Sequence, residues 1–465
     1  MLHMTVGVVN SILTRGKGIL AIFVVGAVLG PASLGVWAQV IGTVPLLACL
    51  ALWGLDNRLA LVLPGESDER IRRSRGMTTW LFGLISAAAI GMIVPWTPLL
   101  PGPYPDGVGT RTMLMAVLFV MLLAEVSRVF LVSYLTNVHR YGLWNALSLL
   151  YEWAEIGALL VGIWLGWSLV LILTVVVIAR ACVMSPILAG QLGRPTVSRD
   201  ALRDIKKGLQ SGVPLMIAKF CLLGVFMVDR YAVDLTVGTA SAGVFSMAVT
   251  LSRFTAVLTA PVYKVARPQA FKLWDQGMHN KAIDQLSRSF GYGVLVAGAC
   301  AITVSLVGRP VMELVRPEYG AAGPFLPLLA VGYAACGLLF FPHTVLFLKR
   351  RIRTLTAVAV AALATAVAGH SLLVPLWGTF GAALVTMSTN IIWLAALWLA
   401  AGDKVNRLVR PRLALLTATV LAMLTGLLLL CRLCEGWIIL PAIVGAWIAS
   451  ALLAWRLRDR FSQAV

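Results

Sequence analysis

The most informative residues in this sequence are charged side chains inside long apolar stretches. Lys219, Asp229 and Arg230 lie in one such stretch, Asp234 lies at its end, and Arg253 lies in the next. A charged group at the depth of a bilayer costs several kcal/mol, so it usually faces a partner or a water-filled cavity. Because Lys219 and Arg230 are eleven residues apart, close to three helical turns, we expect them to share one helix face.

Further ionisable residues occur in apolar stretches nearer the N-terminus. Glu125 and Arg128 have the i, i+3 spacing that allows an ion pair on one helix face. Glu152 and Glu155 have the same spacing and also share a face. The other residues of this kind are Arg15, Asp56, Arg58 and Arg180.

These charges admit a structural and a functional interpretation. Those near the end of a span can extend to the membrane surface, and neighbouring acids and bases can form structural ion pairs. Otherwise they line a cationic, water-filled cavity. Such a cavity suits a phosphate-bearing substrate, because guanidinium donors match the geometry of phosphate oxygens.

The elements that carry these charges are helices in a membrane. Of the 465 residues, 60% are hydrophobic and only 12% are charged, against roughly 25% charged in soluble domains. The apolar stretches run for about 20 residues, the length of a membrane-spanning helix and not of a barrel strand. The sequence predicts an all-α integral membrane protein with about 14 spans, at 14–33, 36–62, 77–99, 112–136, 144–165, 168–190, 213–235, 241–263, 289–308, 323–347, 354–374, 380–401, 413–431 and 437–455.

The formal charge of +19 sits mainly in the connectors. Lys/Arg-rich connectors alternate with connectors that hold few cations, as the positive-inside rule requires. We therefore expect a multi-pass protein with both termini cytoplasmic and an uncleaved first span, and no nucleic-acid partner. The segment 264–288 also has apolar residues at helical spacing among its charges, which fits an amphipathic helix at the membrane surface.

A short motif repeats along the chain. LGPASLGVW at Leu29–Trp37 matches VGTASAGVF at Val237–Phe245, 208 residues later, and Gly378–Ala383 is a looser copy. Because six predicted spans separate the first two copies, matching helices run in the same direction, as in a parallel repeat. We predict an N-terminal lobe at 1–190, a cytoplasmic connector at 191–212 and a C-terminal lobe at 213–401. Residues 402–465 would hold spans 13 and 14 and a cytoplasmic tail.

Three segments together resemble a known family. They are the Leu29–Trp37 motif followed by GLDNRLALVLPG, the stretch from VPLMIAKF through VDRY to PVYKVARPQ, and LLVPLWGTFGAALVTMSTN. In this order they resemble Wzx-type O-antigen and polysaccharide flippases of the multidrug/oligosaccharidyl-lipid/polysaccharide exporter (MOP) superfamily. The resemblance implies two six-helix lobes, alternating access and a place in the bacterial inner membrane. The substrate implied is an undecaprenyl-pyrophosphate-linked oligosaccharide for surface polysaccharide assembly.

The resemblance also implies a cationic cavity for the pyrophosphate. By position its residues would be Arg15, Arg58, Arg128, Lys219, Arg230 and Arg253. No catalytic residue, metal or cofactor is expected, although Asp229, Glu152 and Glu155 are candidates for proton or sodium coupling. The expected partners are the lipid-linked oligosaccharide, membrane lipids and other membrane proteins of polysaccharide assembly.

Three other functions compete with this prediction. A cation-coupled multidrug (MATE-like) exporter is the alternative, but many such exporters carry an acid in the first span and residues 12–30 hold none. A membrane enzyme needs a catalytic surface, and the predicted outward connectors are short. A non-transporting scaffold is the fourth possibility. The pair Cys431 and Cys434 is too isolated to indicate a metal site.

Overall fold

A computed structural model describes residues 2–56, 59, 68–94, 111–138, 140–192 and 199–402 of the chain. The predicted spans 413–431 and 437–455 and the pair Cys431 and Cys434 lie outside these residues. Within them the regular structure consists of α-helices and one short 3₁₀ helix, Pro317–Ala322. The prediction of an all-α membrane protein is therefore confirmed for the described part of the chain.

The α-helices of the described residues follow the predicted spans in order, and several extend beyond them. Their bounds are α1 Leu2–Leu52, α2 Glu69–Ile93, α3 Arg111–Asn137, α4 Tyr141–Trp164, α5 Leu169–Leu192, α6 Arg199–Val237, α7 Thr239–Asp275, α8 His279–Val315, α9 Leu326–Leu338, α10 Phe340–Leu348 and α11 Ile352–Ala401.

Ten helical segments among the described residues are long and apolar enough to cross a membrane. Helix α11 contains two predicted spans, and α1 contains one span and most of a second, 36–62. A straight helix of 50 residues, the length of α11, measures about 75 Å at 1.5 Å per residue. Because the bilayer core is about 30 Å thick, a helix of this length suffices for two crossings only if it bends back. The total of 14 spans stays a prediction.

The bends occur at the glycines of the repeated motif. Gly30 interrupts α1 at φ 83°, and Gly378 interrupts α11 at φ 56°. Gly238 separates α6 from α7 at φ 108°. Only glycine adopts positive φ without steric cost, so each copy of the motif places a glycine where the helix must break. The three positions that match in sequence thus share a positive φ.

The first two copies of the motif also pack against each other. A Cβ on Gly35 would lie 2.3 Å from the Thr239 carbonyl oxygen, and a Cβ on Gly243 would lie 1.8 Å from the Pro31 carbonyl oxygen. Pro31 corresponds to Thr239, and Gly35 to Gly243, at the same offset of 208 residues. The contact is therefore reciprocal, with each motif presenting its glycine to the equivalent carbonyl of the other.

The described chain forms two compact units. The first comprises Met1–Met247 and Ala359–Ala382, and the second comprises Ala248–Val358 and Ala383–Val465. In the second unit, the rings of Tyr263 and Phe290 pack on the buried ring of Phe341, at centroid distances of 5.9 and 5.5 Å. The lobe boundaries that the sequence suggests, at 190 and 213, stay a prediction.

The reciprocal glycine contact predicts a strong effect of a single methyl group. We expect Gly243→Ala to lower the melting temperature of the detergent-purified protein, because overpacking a close contact costs about 1–3 kcal/mol. Gly157→Ala in α4 is the matched control, since a Cβ there meets nothing within 4 Å and alanine is the better helix former. Equal melting temperatures for the two variants would contradict the close packing of the two motifs.

Candidate functional site

A charged cluster is buried in the first unit, among α3, α4 and α5. Arg128 donates from Nε to Glu125 Oε2 at 2.9 Å and from Nη2 to Glu125 Oε1 at 2.5 Å. Two parallel N–H···O bonds of this kind make the strongest geometry for an arginine–carboxylate pair. Glu125 is 5% exposed. The pairing that the i, i+3 spacing predicts is confirmed.

Tyr151 joins this pair to a second one. Its hydroxyl donates to Glu125 Oε2 at 3.3 Å, and the guanidinium carbons of Arg128 and Arg180 lie 5.5 and 4.8 Å from its ring centroid. Arg180 also forms a buried ion pair with Glu155. We call these five residues the ionic cluster. Its two carboxylates and two guanidiniums balance in charge, which lowers the cost of burial.

The sequence did not indicate the pairing of Arg180 with Glu155. The two residues are 25 positions apart on different helices, and the helix packing that brings them together has no local sequence signature. Glu155, a candidate for ion coupling, is thus held by a guanidinium. Glu152, the other acid on this face of α4, is half-buried.

The second polar feature of the first unit is the seam between α6 and the part of α1 after Gly30. Contacts along it run in antiparallel order. Near the end of α1, a Cβ on Gly54 would lie 2.3 Å from the Gly212 carbonyl oxygen, so the two backbones touch. Beside this contact Lys219 Nζ lies 3.3 Å from Asp56 Oδ2. The Lys219 side chain is 43% exposed and that of Asp56 is 13% exposed.

The middle of the α1–α6 seam is polar and closely packed. Thr43 shares a hydrogen bond with the Tyr231 hydroxyl, and Arg230 Nη1 donates to Met227 Sδ at 3.5 Å. Arg230 is 3% exposed. Gln39 is 1% exposed, and neither of its amide atoms has a hydrogen-bond partner among the described residues. Gln39 thus adds a buried polar side chain to the middle of the seam.

Two acids, Asp229 and Asp234, lie on the part of α6 that carries Arg230, and a histidine, His370, lies in α11. Asp229 is fully buried, and one of its carboxylate oxygens accepts the Arg230 backbone N–H at 2.8 Å. His370 in α11 is 2% exposed and lies near enough to Asp229 to interact with it electrostatically. Asp234, one turn after Arg230, is 7% exposed.

The predicted pyrophosphate residues occupy different environments. Lys219 and Arg230 both lie on α6, the first half-exposed and the second buried, and Arg128 belongs to the ionic cluster. Arg253 belongs to the second unit, where its guanidinium carbon lies 5.6 Å from the centroid of the Tyr333 ring. The side chain of Arg15 and the whole of Arg58 lie outside the described residues. Among the residues that the structure does describe, no cluster could hold a metal ion.

The fold occurs among solved structures of membrane transporters. The structure titled lipid II flippase MurJ, in the inward closed conformation, superposes with a TM-score of 0.76 over 96% of this chain and 98% of that one, at 12% sequence identity. An inward-facing multidrug resistance MATE family transporter of the MOP superfamily superposes with a TM-score of 0.66 over 86% of this chain and 95% of that one, at 14% identity. No family model matches the sequence, and the search of curated proteins found no match.

These likenesses show which fold the chain has. The chain has the fold of transporters, a class that in these comparisons includes MATE proteins of the MOP superfamily. Within that class, the superposition with a lipid flippase spans nearly the full length of both chains. The sequence identities are low, so the agreement lies in the path of the backbone.

The ionic cluster predicts a non-additive effect of two substitutions. Glu155→Gln leaves Arg180 buried without its carboxylate, and breaking a buried pair in this way costs roughly 3–5 kcal/mol. We expect Glu155→Gln to lower the melting temperature strongly, and Glu155→Gln with Arg180→Met to recover much of the loss. A double variant that is less stable than Glu155→Gln would show that the two side chains do not form a coupled pair.

Proposed function

We propose that this protein is a flippase that moves an oligosaccharide, linked through a diphosphate to a polyprenyl lipid, across a membrane by alternating access. The observation that carries the proposal is the fold shared with the lipid II flippase over almost the full length of both chains. The sequence resemblance to polysaccharide flippases supports the same class of substrate. We propose undecaprenol as the lipid and the bacterial inner membrane, with both termini cytoplasmic, as the location. The transported oligosaccharide would be used to assemble a surface polysaccharide, such as O-antigen or exopolysaccharide.

We further propose that the diphosphate binds to the intramembrane cations, with Lys219 first among them. Its side chain is 43% exposed, and its partner in the closed seam is one carboxylate, Asp56. A diphosphate carries more negative charge than a carboxylate and offers more acceptor oxygens. Substrate therefore competes with Asp56 for the Lys219 ammonium group.

This exchange links binding to opening of the seam. The Lys219–Asp56 pair lies beside the backbone contact of Gly54 with Gly212, so loss of the pair weakens the α1–α6 seam at this end. Arg230 lies further along the same seam and is buried. In the proposed cycle it meets the diphosphate after the seam has opened. The repeat-related lobes, proposed at 1–190 and 213–401, would move against each other in this step.

The proposal predicts opposite effects of removing the two partners. In vesicles that hold the purified chain, Lys219→Gln is expected to weaken binding of a fluorescent polyprenyl diphosphate oligosaccharide by about tenfold or more, the loss of one charge-assisted contact, and to slow its translocation. Asp56→Asn is expected to raise its affinity, because the competitor for Lys219 is gone.

The matched control for these variants is the exposed Arg309–Glu313 pair, with atoms 2.8 Å apart in α8. We expect Arg309→Gln and Glu313→Gln to leave translocation unchanged. If Asp56→Asn weakens binding as much as Lys219→Gln, the exchange between Asp56 and substrate is wrong. If the wild-type chain moves no lipid-linked oligosaccharide at all, the proposed function is wrong.

A cation-coupled multidrug exporter is the second candidate function. It is favoured by the MATE transporters among the structural neighbours, which match over 86% of this chain. The two candidates differ in the residues on which they depend. Drug efflux would require Asp229 or Glu152 and would tolerate loss of Arg230, whereas diphosphate transport requires the cations.

We also propose that Asp229, together with His370, couples transport to a proton or sodium gradient, with Glu152 as a further candidate. Both side chains are buried and lie near enough to each other to interact electrostatically, and a change of charge on either is costly at such a place. Glu155 is less suited to this role, because Arg180 holds it in the ionic cluster.

Coupling predicts that Asp229→Asn removes the response of transport to an imposed gradient while substrate binding remains. The measurement is translocation in vesicles with and without a proton or sodium gradient. Glu69→Gln, which neutralises an exposed acid paired with Arg73, is the control and should keep the response. A gradient response that survives in Asp229→Asn excludes this residue from coupling.

A further inference from the structure

The second unit presents a strongly basic surface that the proposed transport cycle does not use. The segments 264–288 and 349–353 hold nine lysine and arginine residues and two acids, Asp275 and Asp284. They comprise the end of α7, the start of α8 and the turn between α10 and α11. The cations of these segments that we call the basic surface are all exposed: Lys264, Arg267, Lys272, Lys281, Arg350 and Arg351.

Contacts between these segments make the basic surface continuous. The rings of Phe271 in α7 and Phe347 in α10 lie 6.3 Å apart. Gln285 Nε2 in α8 donates to Gln269 Oε1 in α7 at 2.6 Å. The last turns of α7 therefore pack against both α8 and α10, and this packing brings the cations of the two segments onto one surface.

Arg267 is held in a defined position on this surface. Its guanidinium carbon lies 5.8 Å from the Tyr263 ring centroid, 5.5 Å from that of Phe271 and 5.8 Å from that of Phe347. Cation–π contacts with three rings restrict the position of the guanidinium. Arg267 nevertheless remains exposed. Its N–H donors match the geometry of two phosphate oxygens.

Several apolar residues of the same segments are buried within the unit. Ala270 and Leu286 are fully buried and Ile283 is 3% exposed, while Val265 is the large apolar side chain that remains exposed. The buried members of the amphipathic pattern therefore serve packing within the unit, while the others are half-buried. What the segments offer outward is mainly positive charge, so the complementary partner is an anionic headgroup rather than an acyl chain.

We propose that the basic surface binds the phosphate groups of anionic lipids in the leaflet next to it. The positive-inside rule alone accounts for cations in cytoplasmic connectors. It does not require that an arginine contact three rings, or that α7, α8 and α10 pack together beneath the basic surface. The proposal does not depend on which substrate the protein transports.

The test is the affinity of the full-length purified protein for phosphatidylglycerol, titrated in detergent and followed by native mass spectrometry. Each cation near an anionic lipid surface contributes about a factor of five, so we expect Lys264→Gln, Arg267→Gln and Lys272→Gln together to weaken binding roughly a hundredfold. Arg267→Lys keeps the charge but loses the planar donor set, and is expected to weaken binding severalfold.

The matched control is a triple substitution on α6, Arg203→Gln, Lys206→Gln and Lys207→Gln. These three cations are also exposed and are predicted to lie on the same side of the membrane. The proposal requires that the α6 triple variant bind like the wild type. Equal losses in the two triple variants would mean that any cation on this side serves, and would overturn the proposal.

Two lipids distinguish the source of the phosphate. Phosphatidylglycerol represents the bulk anionic lipid, and an undecaprenyl diphosphate without sugar represents the carrier. We call the combination of Lys264→Gln, Arg267→Gln and Lys272→Gln the α7 triple variant. If the wild type binds one of these lipids and the α7 triple variant does not, the proposed phosphate-binding role of the basic surface is supported. The lipid that binds more tightly identifies the source of the phosphate. If neither lipid binds, or if both bind the α7 triple variant normally, the surface has no such role. Because the measurement involves no transport, it can fail while the proposed function stands, and the reverse also holds.

Discussion

The structure depends on one constraint, that a charge placed in a membrane must be compensated where it lies. The ionic cluster meets this constraint inside the first unit. Two carboxylates neutralise two guanidiniums, and both guanidiniums contact the Tyr151 ring. Such a cluster is balanced and closed, which suits a structural role. The Lys219–Asp56 pair differs, because its lysine is 43% exposed and its two charges can be separated without leaving both buried.

Glycine supplies the second constraint, because it sets how closely the helices approach. The contact of Gly35 with Thr239 and of Gly243 with Pro31 has no room for a methyl group, and the contact of Gly54 with Gly212 closes the other end of the seam. Between these ends lie the polar residues Thr43 and Tyr231. In a bilayer, close approach at small residues and polar contacts both hold helices together. The Lys219–Asp56 pair is the contact of this seam in which substrate can replace one partner, and for this reason the proposed movement is assigned to the seam.

The sequence predicted the helical class, most helix positions and the motif that breaks the helices, because apolar length and glycine placement are local signals. It also predicted the Glu125–Arg128 pair, whose spacing lies within one helix turn. It missed the partner of Glu155 and the burial of Arg230, since both depend on the packing of helices that are distant in sequence. The same limit explains why a shared stripe on α6 did not indicate that Lys219 and Arg230 differ so much in exposure.

The identity of the cargo is the central claim, and it separates a flippase of lipid-linked sugars from an exporter of drugs. The most direct measurement is a profile of the lipid-linked oligosaccharides and surface polysaccharide in cells that lack this protein. The account predicts that a polyprenyl diphosphate oligosaccharide accumulates on the cytoplasmic side while the surface polysaccharide is lost, and that the intact gene restores both. Unchanged precursor and polysaccharide levels, together with a new sensitivity to cationic drugs, would contradict it.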